Sequence, residues 1–270
     1  MYEPKTHTSA ESYISFLIKH QMTGDNNSVI THTAIPSSVN NKLLIKGGKF
    51  SIPEDKYKEF LELYYQTVFQ DKLYGNNIVE RHSDYSPVVI DIDIKYAGTS
   101  KKDRGYTVND LEIIIMNYMK IIEKYIEVED ENRDVYILEK NMPTPMKEEG
   151  KFKDGVHIYY PSIVAKANIK HVIREEFISF LENNPVFTHI KAENSLEDII
   201  DKSVVEKNGM LLYGSQKPDT NYKYRVSKMY RVFGDKVEQY PNISSIVNIV
   251  LPKGIRLNSQ LSSAMTDRNA

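Results

Sequence analysis

Residues Pro87-Val88-Val89-Ile90-Asp91-Ile92-Asp93-Ile94 read as a buried strand that carries two carboxylates two positions apart in an otherwise apolar run. Strand side chains alternate between faces, so Asp91 and Asp93 share one face while Ile90, Ile92 and Ile94 fill the other. No basic residue lies between the two acids, and two like charges held this close are costly without a cation. Two readings stay open for the pair. Hard carboxylate oxygens suit a divalent metal such as Mg²⁺ or Mn²⁺; alternatively, one Asp is a strand-end cap or an ion-pair partner. The spacing alone does not choose, because such pairs occur in unrelated sugar, phosphate and metal enzymes.

A chain of 270 residues with 40% hydrophobic and 10% aromatic content is long enough for one large domain or two modest ones and rich enough to fold. It has no cysteine, which excludes disulfides, thiolate nucleophiles and cysteine-based zinc or iron-sulfur sites, and fits a reducing compartment. The apolar runs are too short to span a bilayer, and Met1 to Ala10 carries no apolar leader core, so a soluble intracellular protein is expected. The overall charge of −2 says little about partners. Locally, Lys217, Lys223, Arg225, Lys228 and Arg231 are opposed only by Asp219. That stretch is either a solvated, lysine-rich edge strand or a nucleic-acid contact.

Apolar spacing predicts helices over 9–22 and 53–72, with a polar, loop-rich stretch from Val29 to Phe50 between them. Thr107-Val108-Asn109-Asp110 resembles a capping box and starts a long helix bearing Leu111, Ile114, Ile115, Tyr118, Ile121, Ile122 and Tyr125. A short strand, Val135 to Leu138, is followed by a flexible excursion from Met142 to Lys153 and a second strand, Gly155 to Pro161, ended by its proline. Helices over Ile169–Leu181 and Leu196–Ile200 precede two further strands, Gly209 to Tyr213 and Tyr222 to Val232. The succession of strand, helix, strand, strand, helix, strand predicts an α+β fold, a small antiparallel or mixed sheet with helices on one face. The polar tail, Asn258 to Ala270, reads as disordered or as a linker.

If these strands are neighbours, four features converge. Asp91 and Asp93 supply the acidic pair. His157 sits mid-strand, with Gly155 before it allowing close approach of a ligand or backbone. Asp201 supplies a third carboxylate, and Gly214-Ser215-Gln216-Lys217 places a flexible turn and a lysine at a strand end. Phosphoryl and nucleotidyl transfer need such a set, carboxylates for divalent ions and cationic donors for a triphosphate. Taken singly, His157 is equally a satisfied core histidine, Asp201 a helix-end residue and the 214–217 turn an ordinary hairpin.

In this order, Val-Val-Ile-Asp-Ile-Asp (88–93), Lys-Asp-Gly-Val-His-Ile-Tyr-Tyr-Pro (153–161), Ile-Ile-Asp-Lys-Ser-Val (199–204) and Leu-Leu-Tyr-Gly-Ser-Gln-Lys-Pro (211–218) resemble the motifs of the archaeo-eukaryotic primase superfamily. The likeness is greatest to the N-terminal primase domain of the primase-helicases of nucleocytoplasmic large DNA viruses, the group that includes poxviruses. It spans about positions 45 to 235, and Tyr-Gly-Ser-x-Lys is its most specific part.

The resemblance implies an RRM-like catalytic module (86–240) beside a smaller N-terminal α/β module (1–85), followed by a linker (241–270) toward a helicase region. It implies a DNA primase or primase-polymerase that joins NTPs or dNTPs on a single-stranded DNA template with two divalent ions, Mg²⁺ or Mn²⁺. Asp91, Asp93 and Asp201 fall on the metal carboxylates and, with His157, on the catalytic set. His157 and Gly155 match the small-x-His motif that contacts the incoming phosphates. Lys153, Ser215 and Lys217 fall on nucleotide-contacting positions, as does Lys49 after Gly47-Gly48. Lys223, Arg225 and Lys228 would follow the template backbone, with Tyr222 and Tyr224 either stacking on bases or lying in the core. Where several relatives carry an arginine this chain has Leu211, and no Gly-x-x-x-x-Gly-Lys-Ser/Thr phosphate loop occurs in it. A superfamily 3-type helicase, fused or associated, is therefore an implied partner. The implied setting is the host cytoplasm, a viral replication factory or the nucleus, with no membrane. Rival readings are a metal-dependent nuclease using the same acids, and a non-catalytic domain that binds nucleic acid or a helicase.

Overall fold

The computed structural model describes residues 9–23, 28–36, 47–71, 77–98, 104–187, 191–218, 220 and 222–241. The tail expected to be a linker lies outside them from residue 242 onward. The fold is mixed α+β with antiparallel sheets. It divides into two compact units, 1–81 with 209–223, and 82–208 with 224–270. Among the described residues no helix is long and apolar enough to cross a membrane.

In the first unit, helix α1 (Ser9–Lys19) and helix α2 (Glu54–Tyr65) pack through Tyr13, Phe16, Phe60 and Tyr64, with the Tyr13 and Phe60 rings stacked at 6.2 Å. Beside them runs a four-stranded sheet in the order β2 (Gly48–Phe50), β1 (His32–Ala34), β3 (Ile78–Glu80), β8 (Met210–Leu211). The 29–50 stretch, expected as loop, thus contributes two strands. Each is three residues long, too short for alternation to register as a pattern. The predicted 53–72 helix changes to a π-helical turn at Gln66–Gln70.

The second unit holds the larger core. Strand β4 (Tyr85–Ala97) is followed by helix α3 (Val108–Tyr125), strand β5 (Asp134–Glu139), the short β6 (Thr144–Pro145), the long β7 (Lys151–Lys166) and helix α4 (Ala167–Asn183). A single turn, α5 (Leu196–Ile199), and strands β9 (Arg225–Phe233) and β10 (Lys236–Gln239) complete it. The sheet order is β10-β9-β5-β7-β4, every pair antiparallel, with β6 pairing β7. Ile90, Ile92 and Ile94 of β4 and Val156, Ile158 and Tyr160 of β7 join the apolar side of α3 and α4, including Leu111, Ile114, Ile115, Ile122, Ile173 and Phe177, in one core. Each fully buried aliphatic side chain there contributes about 1.5–3 kcal/mol of transfer free energy.

Thr107 forms the expected capping box, its hydroxyl accepting from Asp110 N at 3.2 Å while Asp110 Oδ2 accepts from Thr107 N at 2.6 Å. Two strands run further than the sequence suggests. β7 does not stop at Pro161 but continues to Lys166, because the register against β4 slips between Pro87 and Val88. Proline, lacking an N–H, is tolerated in a sheet at such an irregularity. The stretch read as a flexible excursion from Met142 to Lys153 contains β6 and the start of β7.

Candidate active site

Antiparallel pairing of β4 with β7 sets Asp91 opposite His157, Asp93 opposite Gly155 and Lys95 opposite Lys153. Directly opposed residues share a face, so the two acids, His157 and Lys153 all project from the side of the sheet opposite the Ile90, Ile92 and Ile94 core. His157 Nε2 lies 3.4 Å from Asp91 Oδ1, and Lys153 Nζ lies 2.7 Å from Asp93 Oδ2. The ammonium answers the like-charge problem posed by the sequence: Lys153 stands where a cation is needed beside Asp93.

Asp201 reaches the same row by its backbone. Its N–H donates to Asp91 O at 3.0 Å, and Ile200 bridges Ile92 along the open edge of β4. Its carboxylate is turned to Ser203, accepting from Ser203 N and Ser203 Oγ, each at 2.8 Å, and so capping the 3₁₀ turn Lys202–Val205. Among the described residues no group of three or more His, Asp or Glu is arranged to hold a metal ion. Asp91 and Asp93 can offer hard oxygens to a divalent cation; for Asp201 to join them, its carboxylate must first give up Ser203.

Several side chains at this face lie outside the motifs read from the sequence. Tyr224, immediately before β9, stacks on the His157 imidazole with ring centroids 3.6 Å apart and planes 19° from parallel. It is half-buried, immediately ahead of the basic strand. Burial, and after it the charges of Asp91 and Asp93, push its phenol above the ordinary tyrosine range. Gly155 accommodates this arrangement. A Cβ there would stand 2.8 Å from the Tyr224 hydroxyl and 2.9 Å from Asp93 Oδ1.

Lys140 follows β5, whose pairing of Leu138 with His157 and Glu139 with Val156 makes it level with Gly155 when the register is continued. Its Nζ is 5.5 Å from the Tyr224 ring centroid, and burial draws its ammonium below the usual lysine range against the pull of Asp93 and Asp154. Below the sheet, Arg104 and the fully buried Asp154 form a 3.0 Å ion pair. Asp154 also accepts from the N–H groups of Gly105 and Gly155, and Arg104 donates to Lys140 O at 2.5 Å. Arg174 of α4, 2% exposed, donates to Ile200 O at 2.9 Å and to Glu197 O at 2.8 Å, holding the segment that bears Asp201.

The predicted residues of the first unit are organised separately. Tyr64 OH bonds to Tyr213 O at 2.8 Å and Ser215 Oγ at 3.0 Å, bracing the 213–217 turn from α2. Gly214 has φ +91°, and a Cβ on it would lie 2.7 Å from the Phe69 ring, so both backbone and space require glycine there. Ser215 is buried, Lys217 is exposed at the end of that turn, and Lys49 is exposed on β2 opposite Thr33. Lys223 pairs with Gln216 in an isolated bridge. On β9 of the second unit Arg225 is exposed, whereas Lys228 is engaged at 2.6 Å by Glu139.

Over residues 40–230 the chain matches the family model described as the C962R protein N-terminal AEP domain. It is 32% identical over 250 residues to the putative helicase L207/L206 of Acanthamoeba polyphaga mimivirus, an alignment covering 88% of this chain and 25% of that protein. It is 27% identical over 199 residues to the putative helicase 121R of Invertebrate iridescent virus 3, covering 68% of this chain and 20% of the relative. With the putative helicase 184R of Invertebrate iridescent virus 6 it shares 24% identity over 202 residues, covering 67% of this chain and 20% of the relative. The chain therefore spans a quarter or less of the length of these relatives.

Proposed function

The chain belongs to the archaeo-eukaryotic primase (AEP) family, as a domain of the C962R N-terminal type, and on that premise we propose that it catalyses template-directed nucleotidyl transfer to make primers. One observation carries the reading. The β4–β7 register places the acidic pair, His157 and Lys153 on one face, the grouping that transfer of a nucleotidyl group from a triphosphate requires.

Under this reading Asp91 and Asp93, with Asp201 released from Ser203, would hold divalent ions, which supply Lewis-acid stabilisation of the transferring phosphate and activation of the attacking hydroxyl. Lys153 neutralises Asp93 before ligand arrives; once that carboxylate is otherwise engaged, its ammonium turns to phosphate oxygens as a charge-assisted donor. His157 presents Nε2 at the Asp91 end of the same row and donates to phosphate. Lys49, Ser215 and Lys217 are proposed nucleotide contacts on the resemblance of their motifs alone. Arg225 and Lys223 are proposed template contacts on the same basis, with Lys228 joining them only by leaving Glu139.

The finer architecture belongs to the same proposal. The strand, helix, strand, strand, helix, strand order of β4, α3, β5, β7, α4 and β9 supports an RRM-like catalytic module over 86–240, here with β9 beside β5. Residues 1–85 are proposed as the smaller α/β module, joined by 209–223 of the 86–240 stretch, which fold with the first unit, and 241–270 as leading toward a helicase region. The helicase names of the viral relatives favour a fused helicase partner and work in a viral replication compartment.

The test is primer synthesis on single-stranded DNA with Mg²⁺ or Mn²⁺, comparing NTPs with dNTPs and wild type with His157→Ala. Template-dependent products that are lost or strongly reduced in His157→Ala support the proposal. Cleavage of oligonucleotides without synthesis would move the assignment to a nuclease, and nucleic-acid binding without either activity to a non-catalytic domain.

A further inference from the structure

Gly155 brings no side chain to the row that runs across the sheet from Asp93 on β4 to Lys140 beyond β5, and the Tyr224 hydroxyl stands in its place. On one side of Gly155 stands a carboxylate already answered by Lys153. On the other stands Lys140, 8% exposed. Among the described residues its ammonium meets one hydroxyl, Thr144 Oγ1 at 3.4 Å, and the Tyr224 ring. No carboxylate there lies within ion-pair distance of it. An ammonium has three donors to place, and burying one without an anionic partner carries a substantial desolvation cost. The charges of Asp93, Asp154 and Asp91 favour the ammonium from beyond ion-pair distance, and burial outweighs them. The backbone around Gly155 is fixed: Gly155 N donates to Asp154 and Lys140 O accepts from Arg104, the two members of one buried ion pair. A buried ammonium with no carboxylate at ion-pair distance among the described residues, beside a glycine over which a phenol hydroxyl stands, is arranged for an anion that arrives from outside.

We infer that Lys140 is a further phosphate-binding lysine, beside Lys153, and that the Tyr224 phenol occupies the phosphate position until a nucleoside triphosphate displaces it. The inference rests on the nucleotidyl-transfer reading above and extends it to two residues that no recognised motif contains. The phenol suits the placeholder role. Its hydroxyl stands over Gly155, and its ring covers both His157 and Lys140. Triphosphate binding then includes the cost of moving Tyr224, so apparent affinity is lowered by the fraction of molecules in which it is closed.

The experiment is calorimetric titration with ATP in Mg²⁺, with adenosine as the uncharged control, on wild type, Lys140→Gln, Lys140→Arg and Asp91→Asn/Asp93→Asn. Loss of one charge-assisted contact weakens ATP binding by about tenfold or more in Lys140→Gln. Adenosine binding stays unchanged, and Lys140→Arg retains ATP. Wild-type affinity for ATP in Lys140→Gln, with Asp91→Asn/Asp93→Asn still impaired, would overturn the inference and leave the nucleotidyl-transfer reading intact. Wild-type ATP binding insensitive to both Mg²⁺ and the Asp substitutions would overturn both together. Should Lys140→Gln not fold by circular dichroism, Tyr224→Ala decides: tighter ATP binding supports a displaced phenol, and unchanged or weaker binding refutes it.

Discussion

Replacing Gly155 with alanine tests the geometry of the site without replacing any ionisable group. The added Cβ would stand 2.8 Å from the Tyr224 hydroxyl, 2.9 Å from Asp93 Oδ1 and 3.2 Å from Ile92 O. The first two partners can rotate away, at the expense of the His157 stack and the Lys153 ion pair; the third is backbone of β4 and cannot. Overpacking of this kind costs about 1–3 kcal/mol. Against it, alanine loses less chain entropy than glycine on folding, an offset of about 0.4–1 kcal/mol. The net expectation is destabilisation of about 1–2 kcal/mol, with the nearest contact, the phenol, responsible for a large share.

A double-mutant cycle isolates that share. Tyr224→Phe removes the hydroxyl and keeps the ring, so Gly155→Ala introduced into Tyr224→Phe should cost about 1 kcal/mol less than in wild type, a coupling typical of contacting side chains. Equilibrium urea unfolding of the four proteins measures it, provided the slopes agree across the set. Equal penalties in both backgrounds, or a neutral Gly155→Ala, would refute the placement of Tyr224 over Gly155.

Three further outcomes follow from the second unit. Lys170, whose Nζ donates to Ser86 Oγ at 2.6 Å, is drawn by burial from its ordinary value down to about 8. Between that pH and the unfolded value near 10.4 the unfolded chain binds a proton that the folded chain does not. Stability therefore rises with pH across this window, by on the order of 3 kcal/mol if nothing else titrates. The difference between wild type and Lys170→Met, measured by urea unfolding on either side of the window, should show that slope; parallel pH curves would contradict it. Arg174→Ala leaves Ile200 O and Glu197 O without their buried donor, at about 1–3 kcal/mol for each unsatisfied group. It should also speed hydrogen exchange at the Asp201 amide, which an unchanged exchange rate would refute. Thr107→Ala removes the helix cap of α3 and should cost about 1 kcal/mol in thermal or urea unfolding, with Thr107→Ser nearly neutral.

Much of the second unit is legible in the sequence because its signals are local. Alternation of Ile90, Ile92 and Ile94 marks the core face of β4 and therefore the opposite face for Asp91 and Asp93. The capping box announces the start of α3, and the order of strands and helices follows from periodicity. What sequence reading misses is set by long-range pairing. Tyr224 meets His157 across 67 positions of chain and Lys140 across 84, and no local pattern marks either contact. Arg104 and Asp154 form their ion pair 50 positions apart. Pro161 reads as a stop because the register slip that accommodates it depends on β4, not on its own neighbours. The carboxylate of Asp201 shows the opposite limit. Its motif is recognisable and its backbone lies beside Asp91, yet its two side-chain bonds go to Ser203.

Asp91 and Asp93 are proposed to serve nucleotidyl transfer rather than structure. Pyrophosphate release from nucleoside triphosphates, measured with and without single-stranded DNA template in Mg²⁺ or Mn²⁺, tests it most directly when wild type is set beside Asp91→Asn/Asp93→Asn. The account predicts template-dependent release by wild type and a fall of about two orders of magnitude or more in the folded double variant, as expected when charge stabilisation at a reacting phosphate is lost. Equal release by the two proteins, or none by wild type on any template, would contradict it.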